Sequence, residues 1–285
     1  MTAINRRQAL GVLGVAGTLA AMGAAPASGA ARPALTWKAP RLVDPEIIEV
    51  GTSVDSQPGE LDVTRDYIVR LPPTMRTGQL ILHGGRNVVL IGGHIRLPPV
   101  SGRDAEARAI LVTRNQGTVH IEGVLIDTTA SGQGDGIAIQ SRDSIVQVQN
   151  CRIVNLVGAQ DETHSDVIQP WGGVRELRVD RLTGSSNYQG FFVPQDLAPI
   201  GHIKIKRSNL IADPEWFPGA RGGYLLWMGR EPKYTMSDFY VQPRQGRLLE
   251  NSVWPDVSHP DLAPSIVDGV ATWPAMTNVA GSVFL

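Results

Sequence analysis

The stretches IVQVQNCRI (145–153) and TVHIEGVLI (118–126) decide what fold we expect. Each alternates apolar and polar residues and then meets a turn, a pattern typical of a half-buried β-strand. Four similar segments occur in the chain, and the steps between neighbouring segments range from 26 to 36 residues. They are NVVLIGGHI (87–95), LRVDRL (177–182), HIKIKRSNLI (202–211) and FYVQP (239–243). Self-similarity at a nearly fixed period indicates a repeat architecture.

Aligning the six segments gives one apolar position per repeat, which we expect to point inward and to stack on its neighbours. The aligned residues are Ile91, Ile121, Val148, Val179, Ile205 and Val241. Two positions later, Gly93, Gly123 and Asn150 suit a tight turn with left-handed backbone angles. The arginines at the same place in the next two repeats do not demand such a turn.

A second strand recurs upstream of these segments, once per repeat. It reads RAILVTR (108–114), GDGIAIQS (134–141), SDVIQPW (165–171), QGFFVPQ (189–195) and GGYLLWM (222–228). No helical pattern of useful length separates the strands, so a βαβ fold is disfavoured. A repeat of about 30 residues without a helix favours an all-β parallel β-helix of about five to seven rungs over a propeller, whose blades need about 40 residues.

The first thirty residues have the layout of an export signal. Arg6 and Arg7 precede a weakly apolar stretch from Ala9 to Ala25, and small residues then suit cleavage near Ala30. The arginine pair resembles a twin-arginine signal, which implies secretion or another location outside the cytoplasm. A membrane anchor is the alternative, but the apolar stretch is at the short edge for a stable membrane span. We therefore divide the chain into a signal (1–30), an entry segment and cap (31–77), the β-helix (78–243) and a C-terminal cap (244–285).

Composition excludes several classes of protein. Hydrophobic residues make up 42% and charged residues 19%, and 26 Lys and Arg nearly balance 27 Asp and Glu. This balance disfavours a disordered chain, a coiled coil and a strongly basic nucleic-acid binder. Cys151 is the single cysteine, so no disulfide framework can form, and we expect it to be a small buried residue.

The repeats, the signal and the strand-turn pattern together resemble the right-handed parallel β-helix superfamily of pectate lyases and polygalacturonases, over about residues 78–243. GDGIAIQS resembles the aspartate-bearing strand of polygalacturonases, with Asp135 at one aspartate position and Gly134 in place of its neighbour. HSDVIQPWGG resembles a signature found in secreted β-helix proteins of uncertain activity. The Gly-His-Gly and Arg-Ile-Lys signatures of polygalacturonases are not found in this sequence. The resemblance implies a polysaccharide or oligosaccharide substrate in a groove on one sheet.

Asp135 and Asp166 begin equivalent strands of neighbouring rungs, so stacking should bring them close together. When two carboxyl groups are adjacent, the pKa of one of them is raised, and that group can then act as an acid. Glycosidases use such a pair of carboxyl groups for catalysis. The structural alternative is that each aspartate caps a turn through its own backbone. We take both as candidate catalytic residues.

His164 is the third candidate catalytic residue, because residues two apart on an extended chain share a face and His164 precedes Asp166 by two. It can serve as a base, or it can be a loop histidine bonded to backbone. Gln169 and Trp171 follow with the same two-residue spacing, and we expect this polar set to point outward into a groove. The candidate substrate-binding residues are Gln169, Trp171, Tyr188, Gln195, Arg221 and Trp227. Aromatic residues in consecutive rungs can equally form a core ladder.

The expected function is cleavage of a polysaccharide by a glycoside hydrolase or polysaccharide lyase; the sequence does not choose between these reactions. The alternative is a non-catalytic β-helix that binds glycan or serves as a surface scaffold, with aromatic residues but no productive acid pair. We expect a monomer and no resident cofactor. Calcium on Asp161, Glu162 and Asp166 remains an alternative, although calcium takes about 6–8 oxygen ligands.

Overall fold

The chain winds into a coil in which a full turn contributes up to three strands. Each strand of a turn belongs to a different parallel sheet. The computed structural model describes residues 35–98, 108–128, 134–159, 164–194, 196–212, 223–229, 233–259, 262 and 266–268. The expected export signal lies outside these described residues. Within them the chain has a single helical element, a short 3-10 helix at Leu249–Asn251.

The strands in chain order are β1 (Glu46–Glu49), β2 (Glu60–Leu61), β3 (Asp66–Arg70), β4 (Arg76–Thr77), β5 (Leu80–Gly84), β6 (Asn87–Ile91), β7 (His94–Arg96), β8 (Arg108–Thr113), β9 (Thr118–Glu122), β10 (Leu125–Asp127), β11 (Asp135–Gln149), β12 (Arg152–Leu156), β13 (Ile168–Gln169), β14 (Val174–Asp180), β15 (Thr183–Ser186), β16 (Phe191–Val193), β17 (Ile200–Ala212), β18 (Leu226–Met228), β19 (Tyr234–Gln242), β20 (Val253–Trp254) and β21 (Ile266–Asp268).

Three parallel sheets run along the molecule. Sheet 1 contains β2, β5, β8, the first half of β11, β13, β16, β18 and β20. Sheet 2 contains β1, β3, β6, β9, the second half of β11, β14 and the first halves of β17 and β19. Sheet 3 contains β4, β7, β10, β12, β15, the second halves of β17 and β19, and β21. The fold is a right-handed parallel β-helix of about six turns, as the repeat predicted.

The predicted apolar column forms the core between the sheets. Val148 pairs with Ile121 on one side and Val179 on the other, and Ile205 continues the row. All four are fully buried, which confirms the alignment of the central repeats. The alignment was wrong at both ends of the series. Leu90, rather than Ile91, pairs with Ile121, because the double glycine after β6 lengthens that turn by one residue.

The last member of the column was also placed wrongly. Val241 pairs with Leu210 in sheet 3, and the partner of Ile205 in sheet 2 is Met236. The cause is that β19 is one long strand that passes through the corner between the two sheets. Its first half pairs in sheet 2 and its second half pairs in sheet 3. An alternating pattern does not mark such a corner.

The turn between sheets 2 and 3 uses left-handed backbone at each central rung. Gly123 and Asn150 have φ of 65° and 52°, as expected for these residue types. Arg181 and Arg207 also adopt φ of 53° and 42°, although arginine is not a residue type that demands such a turn. Stacking imposes the same corner on every rung, and the left-handed conformation costs about 1–2 kcal/mol for a residue with a side chain.

Regular pairing extends to both sides of the 78–243 range, since β1 to β4 and β20 and β21 lie outside it. Cys151 is buried and free. Burial raises the pKa of its thiol to about 12. Among the described residues, no helix combines the length and apolar character needed to cross a membrane.

Candidate active site on sheet 1

Three ionisable residues stack at the N-terminal ends of neighbouring strands of sheet 1. Strand pairing sets Arg108 beside Asp135, and it pairs Ile137 with Ile168, so Asp135 and Asp166 hold equivalent places on neighbouring rungs. The backbone N–H of Asp166 donates to Oδ1 of Asp135 at 3.0 Å. Nε of Arg108 lies 3.7 Å from Oδ2 of Asp135. We call Arg108, Asp135 and Asp166 the acidic column.

The residues that follow the two aspartates face the core. A Cβ on Gly136 would lie 2.4 Å from Cγ2 of Ile153, so this position faces the interior and admits only glycine. Val167, at the equivalent place on the next rung, belongs to the hydrophobic core. The next residues along the chain, Ile137 and Ile168, belong to the core as well, so alternation is broken here and does not assign the two aspartates to either side of the sheet.

The acidic column is buried. Asp166 has no exposed surface and Asp135 is 6% exposed, so the expectation that Asp166 lines an open groove was wrong. Alternation along the strand fails to predict exposure here, because consecutive residues after each aspartate face the core. Both carboxyl oxygens of Asp166 are buried without a hydrogen-bond partner among the described residues.

The surroundings of Asp166 favour its protonated form. Burial raises the pKa of its carboxyl well above the usual value, and the neighbouring charge of Asp135 raises it further. The column therefore has one carboxyl that keeps its proton and a neighbour with a cationic partner, which is the asymmetry that acid–base catalysis uses.

The other residues of the 164–171 stretch do not share one surface. His164 is exposed, and its ring centroid lies 5.3 Å from that of Tyr188, which is buried. Gln169 is half-buried in β13 beside Ala138. Trp171 is half-buried, with the guanidinium of Arg108 5.5 Å from its ring centroid and its Nε1 buried without a hydrogen-bond partner among the described residues.

Some of the remaining candidate substrate-binding and calcium-binding residues lie among the described residues, and the others lie outside them. Gln195 and Arg221 lie outside the described residues, as do Asp161 and Glu162 of the calcium alternative. The described residues contain no group of three His, Cys, Asp or Glu side chains placed to hold a metal ion. Trp227 is half-buried in β18.

Trp227 belongs to an aromatic row on the outer side of sheet 1. Strand pairing aligns it with Phe192 and Trp254, whose ring centroids lie 5.1 and 5.5 Å from its own. Tyr224 packs edge-on against it at 5.8 Å. We call Phe192, Tyr224, Trp227 and Trp254 the aromatic ladder. Next to its far end, a cleft of about 540 Å³ is lined by Tyr224, Trp254, Glu250, Asp256 and His259 among others.

Sequence reasoning missed Arg108, Phe192 and Trp254 as site residues. Arg108 begins a strand that the repeat pattern predicted. The register of that strand against the strand of Asp135 could have identified Arg108 as a site residue. Phe191 and Phe192 are adjacent, and alternation places one inside and the other outside: Phe191 is buried and stacks on Phe239 at 5.9 Å, whereas Phe192 joins the ladder. Trp254 lies beyond the recognised repeats, so no period pointed to it.

Comparison of this chain with protein-family models, with curated proteins and with solved structures found no match.

Proposed function

We propose that this protein hydrolyses a polysaccharide that lies along the outer face of sheet 1. The acidic column is the observation that carries the proposal, because two carboxyl groups hold equivalent places on neighbouring rungs and Arg108 lies beside one of them. Perturbed carboxyl pairs of this kind cluster at functional sites.

In this proposal Asp166 is the general acid. It donates its proton to the glycosidic oxygen as the bond to the anomeric carbon breaks, and Asp135 acts on the other side of the bond, as the base for water or as the nucleophile. Elimination is less well supported, since it needs a cation free to neutralise a uronate, and Arg108 is engaged with Asp135. Because Asp166 has no exposed surface, the reaction requires that substrate binding uncover its carboxyl.

The aromatic ladder supports the substrate class. Sugar rings present apolar faces that pack on aromatic side chains, and the ladder supplies one outward ring on each of three successive rungs of the same sheet. A polymer laid along the axis of the molecule would contact the ladder, and it would reach the acidic column once binding uncovers Asp166.

The test is a panel of polysaccharides incubated with the mature protein, with new reducing ends and the absorbance of unsaturated products both recorded. Asp166→Asn and Asp135→Asn should each lower turnover by about 100-fold or more, a typical contribution of a general acid or base. Asp143→Asn is the matched control, because Asp143 is an exposed aspartate on the same strand, β11. Full turnover by a folded Asp135→Asn, Asp166→Asn double variant would refute the assignment.

A second candidate function is glycan binding without cleavage. It is favoured by the contrast between the fully buried Asp166 and the half-buried rings of the ladder. This function predicts saturable binding to one member of the panel, no products, and the same affinity in the double aspartate variant.

We also propose export by the twin-arginine route, kinship with the pectate lyase-like superfamily and a monomeric state. The arginine pair, the β-helix fold and the strand GDGIAIQS support the first two. Arg6→Lys with Arg7→Lys should leave the precursor in the cytoplasm, because the receptor reads a guanidinium pair. Mature protein outside the cell from that variant would contradict the route.

A further inference from the structure

The segment Leu35–Val43 lies along the outer face of sheet 2, on a different side of the coil from the acidic column. Thr36 contacts Asp180 of β14, Trp37 contacts Gln149 of β11, and Val43 contacts Asp66 of β3. Because β14 and β11 are neighbouring strands of sheet 2 and β3 lies three strands beyond β11, the segment runs along the axis of the molecule and across the strands. We call this segment the strap and the surface beneath it the strap groove.

The groove holds the backbone of the strap through glutamine amides. Gln149, which has no exposed surface, donates from Nε2 to the Trp37 carbonyl at 2.7 Å and accepts from the Trp37 N–H at 3.1 Å. Gln147, with its amide nitrogen toward the strap, donates to the Lys38 carbonyl at 3.2 Å. These contacts recognise an extended peptide whatever its side chains.

A separate pair of residues recognises the Thr36 hydroxyl. Its Oγ1 donates to Oδ2 of Asp180 at 2.7 Å and accepts from Nη2 of Arg207 at 2.5 Å. Asp180 has no exposed surface, and Arg207 binds both of its oxygens. The hydroxyl thus adds one hydrogen bond to each member of a preformed ion pair, which alanine or valine cannot do, and hydrogen bonds to charged groups are the stronger ones.

Two cations recognise the ring of Trp37. The guanidinium of Arg178 lies 5.9 Å and Nζ of Lys206 5.8 Å from the ring centroid. A cation held over the face of an aromatic ring is attracted by the ring, and the attraction is stronger where water is excluded. This position therefore selects an aromatic residue immediately after the hydroxyl residue.

Bonds beneath the groove fix the groups that contact the strap. Gln147 donates to Nδ1 of the fully buried His120 at 2.8 Å and accepts from Arg178 at 2.9 Å, and His120 in turn contacts Glu122 at 3.2 Å. Although burial opposes it, hydrogen bonds from Arg178 and Lys204 hold the pKa of Glu176 below its usual range. Through its bond with Gln147, His120 helps to orient a group that binds the strap.

We propose that the strap groove is a binding site for an extended peptide in which serine or threonine is followed by an aromatic residue. The chain's own strap is its resident, and a peptide of the same chemistry supplied in trans replaces it. Recognition divides into the Gln149 amide for the backbone, the Asp180–Arg207 pair for the hydroxyl and the Arg178 and Lys206 cations for the ring.

The experiment cuts the strap in the folded protein. A specific protease site is inserted between Arg41 and Leu42, the mature chain is folded and then cut, and a labelled synthetic peptide LTWKAPR (residues 35–41) is added. The fragment should stay bound after cutting, leave in excess peptide, and be replaced by one equivalent of labelled peptide. Peptides carrying Thr36→Ala or Trp37→Ala should bind at least tenfold more weakly. A Lys38→Ala peptide should bind within twofold, since the exposed Lys38 is held through its carbonyl.

Equal binding of the parent and Trp37→Ala peptides would overturn the proposal. If the cut protein unfolds, the uncut full chain carrying Trp37→Ala serves instead, because its weakened resident should yield to the labelled parent peptide. Failure of the peptide to bind that folded variant at millimolar concentration would also overturn it. Neither readout involves polysaccharide, so the outcome is independent of the function proposed for sheet 1.

Discussion

Asp166 donates its backbone N–H to the carboxylate of Asp135 at 3.0 Å, while its own carboxyl oxygens are buried without a partner among the described residues. One aspartate is thus stabilised by its neighbour, and the other is held where ionisation is costly. A buried polar group that remains unsatisfied calls for an explanation such as catalysis.

We predict that Asp166→Asn stabilises the fold at neutral pH, and that the gain disappears in acid. A pKa that is higher in the folded than in the unfolded state means that the folded state holds the proton more tightly. Wild-type stability therefore falls as the pH rises from about 4 through the folded pKa, whereas asparagine avoids this loss. Denaturant titrations from pH 4 to 8 should show a gain of about 1–3 kcal/mol at the upper end. A variant that is less stable than wild type at every pH would contradict the raised pKa, and Asp143→Asn is the exposed control.

The opposite pH dependence is expected at Asp66. Arg86 binds both of its carboxylate oxygens, and the Val43 N–H adds a bond at 2.7 Å. The hydrogen bond from Arg86 is the main cause that lowers the pKa of Asp66 to about 2. The group therefore contributes stability above pH 4 that is lost as the pH falls toward 2.

Asp66→Asn should lower the free energy of unfolding by about 2 kcal/mol at pH 7, and the difference from wild type should close near pH 2. Urea titrations across this range measure it. Glu46→Gln breaks the exposed pair with Arg65 and should change stability by less than about 1 kcal/mol. Equal losses in the two variants would show that burial of Asp66 adds nothing to its ion pair.

Val148→Asp should abolish soluble protein. Val148 is fully buried between Ile121 and Val179, so the change places an unpaired charge in the centre of the coil. The expected loss is comparable with the whole stability of a domain, about 5–15 kcal/mol. Expression and circular dichroism measure it against Arg175→Asp, a change at an exposed position of the next strand, β14. Soluble β-rich protein from Val148→Asp would mean that this position tolerates solvent.

The sequence predicted the repeating core because stacking makes every rung obey the same period. Val148 and its neighbours could be aligned without coordinates, and the register failed where a turn changed length, as at Ile91. The strap could not be predicted, since Thr36 and Asp180 are 144 residues apart and Thr36 lies outside the repeat segments. In the acidic column, the pairing of Asp135 with Asp166 follows from the period, but the burial of Asp166 depends on what lies over the strand.

The last prediction concerns Trp227, whose ring contacts each of the other three rings of the aromatic ladder. Its removal leaves a gap in the middle of the row, so a polymer lying along sheet 1 would lose the central ring contact and the support of Phe192 and Trp254. Trp227→Ala should therefore weaken binding to the active polysaccharide at least tenfold, or about 1.4 kcal/mol. The polysaccharide affinity of Trp227→Phe should lie between those of the wild type and Trp227→Ala, since phenylalanine restores part of the ring.

Binding is measured by calorimetry in the Asp166→Asn background, in which the polymer should stay uncut, and thermal melts confirm that each variant is folded. Trp37→Ala is the matched control, because it removes an indole from the strap over sheet 2 and should leave polysaccharide affinity unchanged. Unaltered affinity in a folded Trp227→Ala variant would remove the ladder from the substrate path and with it the proposed direction of the polymer along sheet 1.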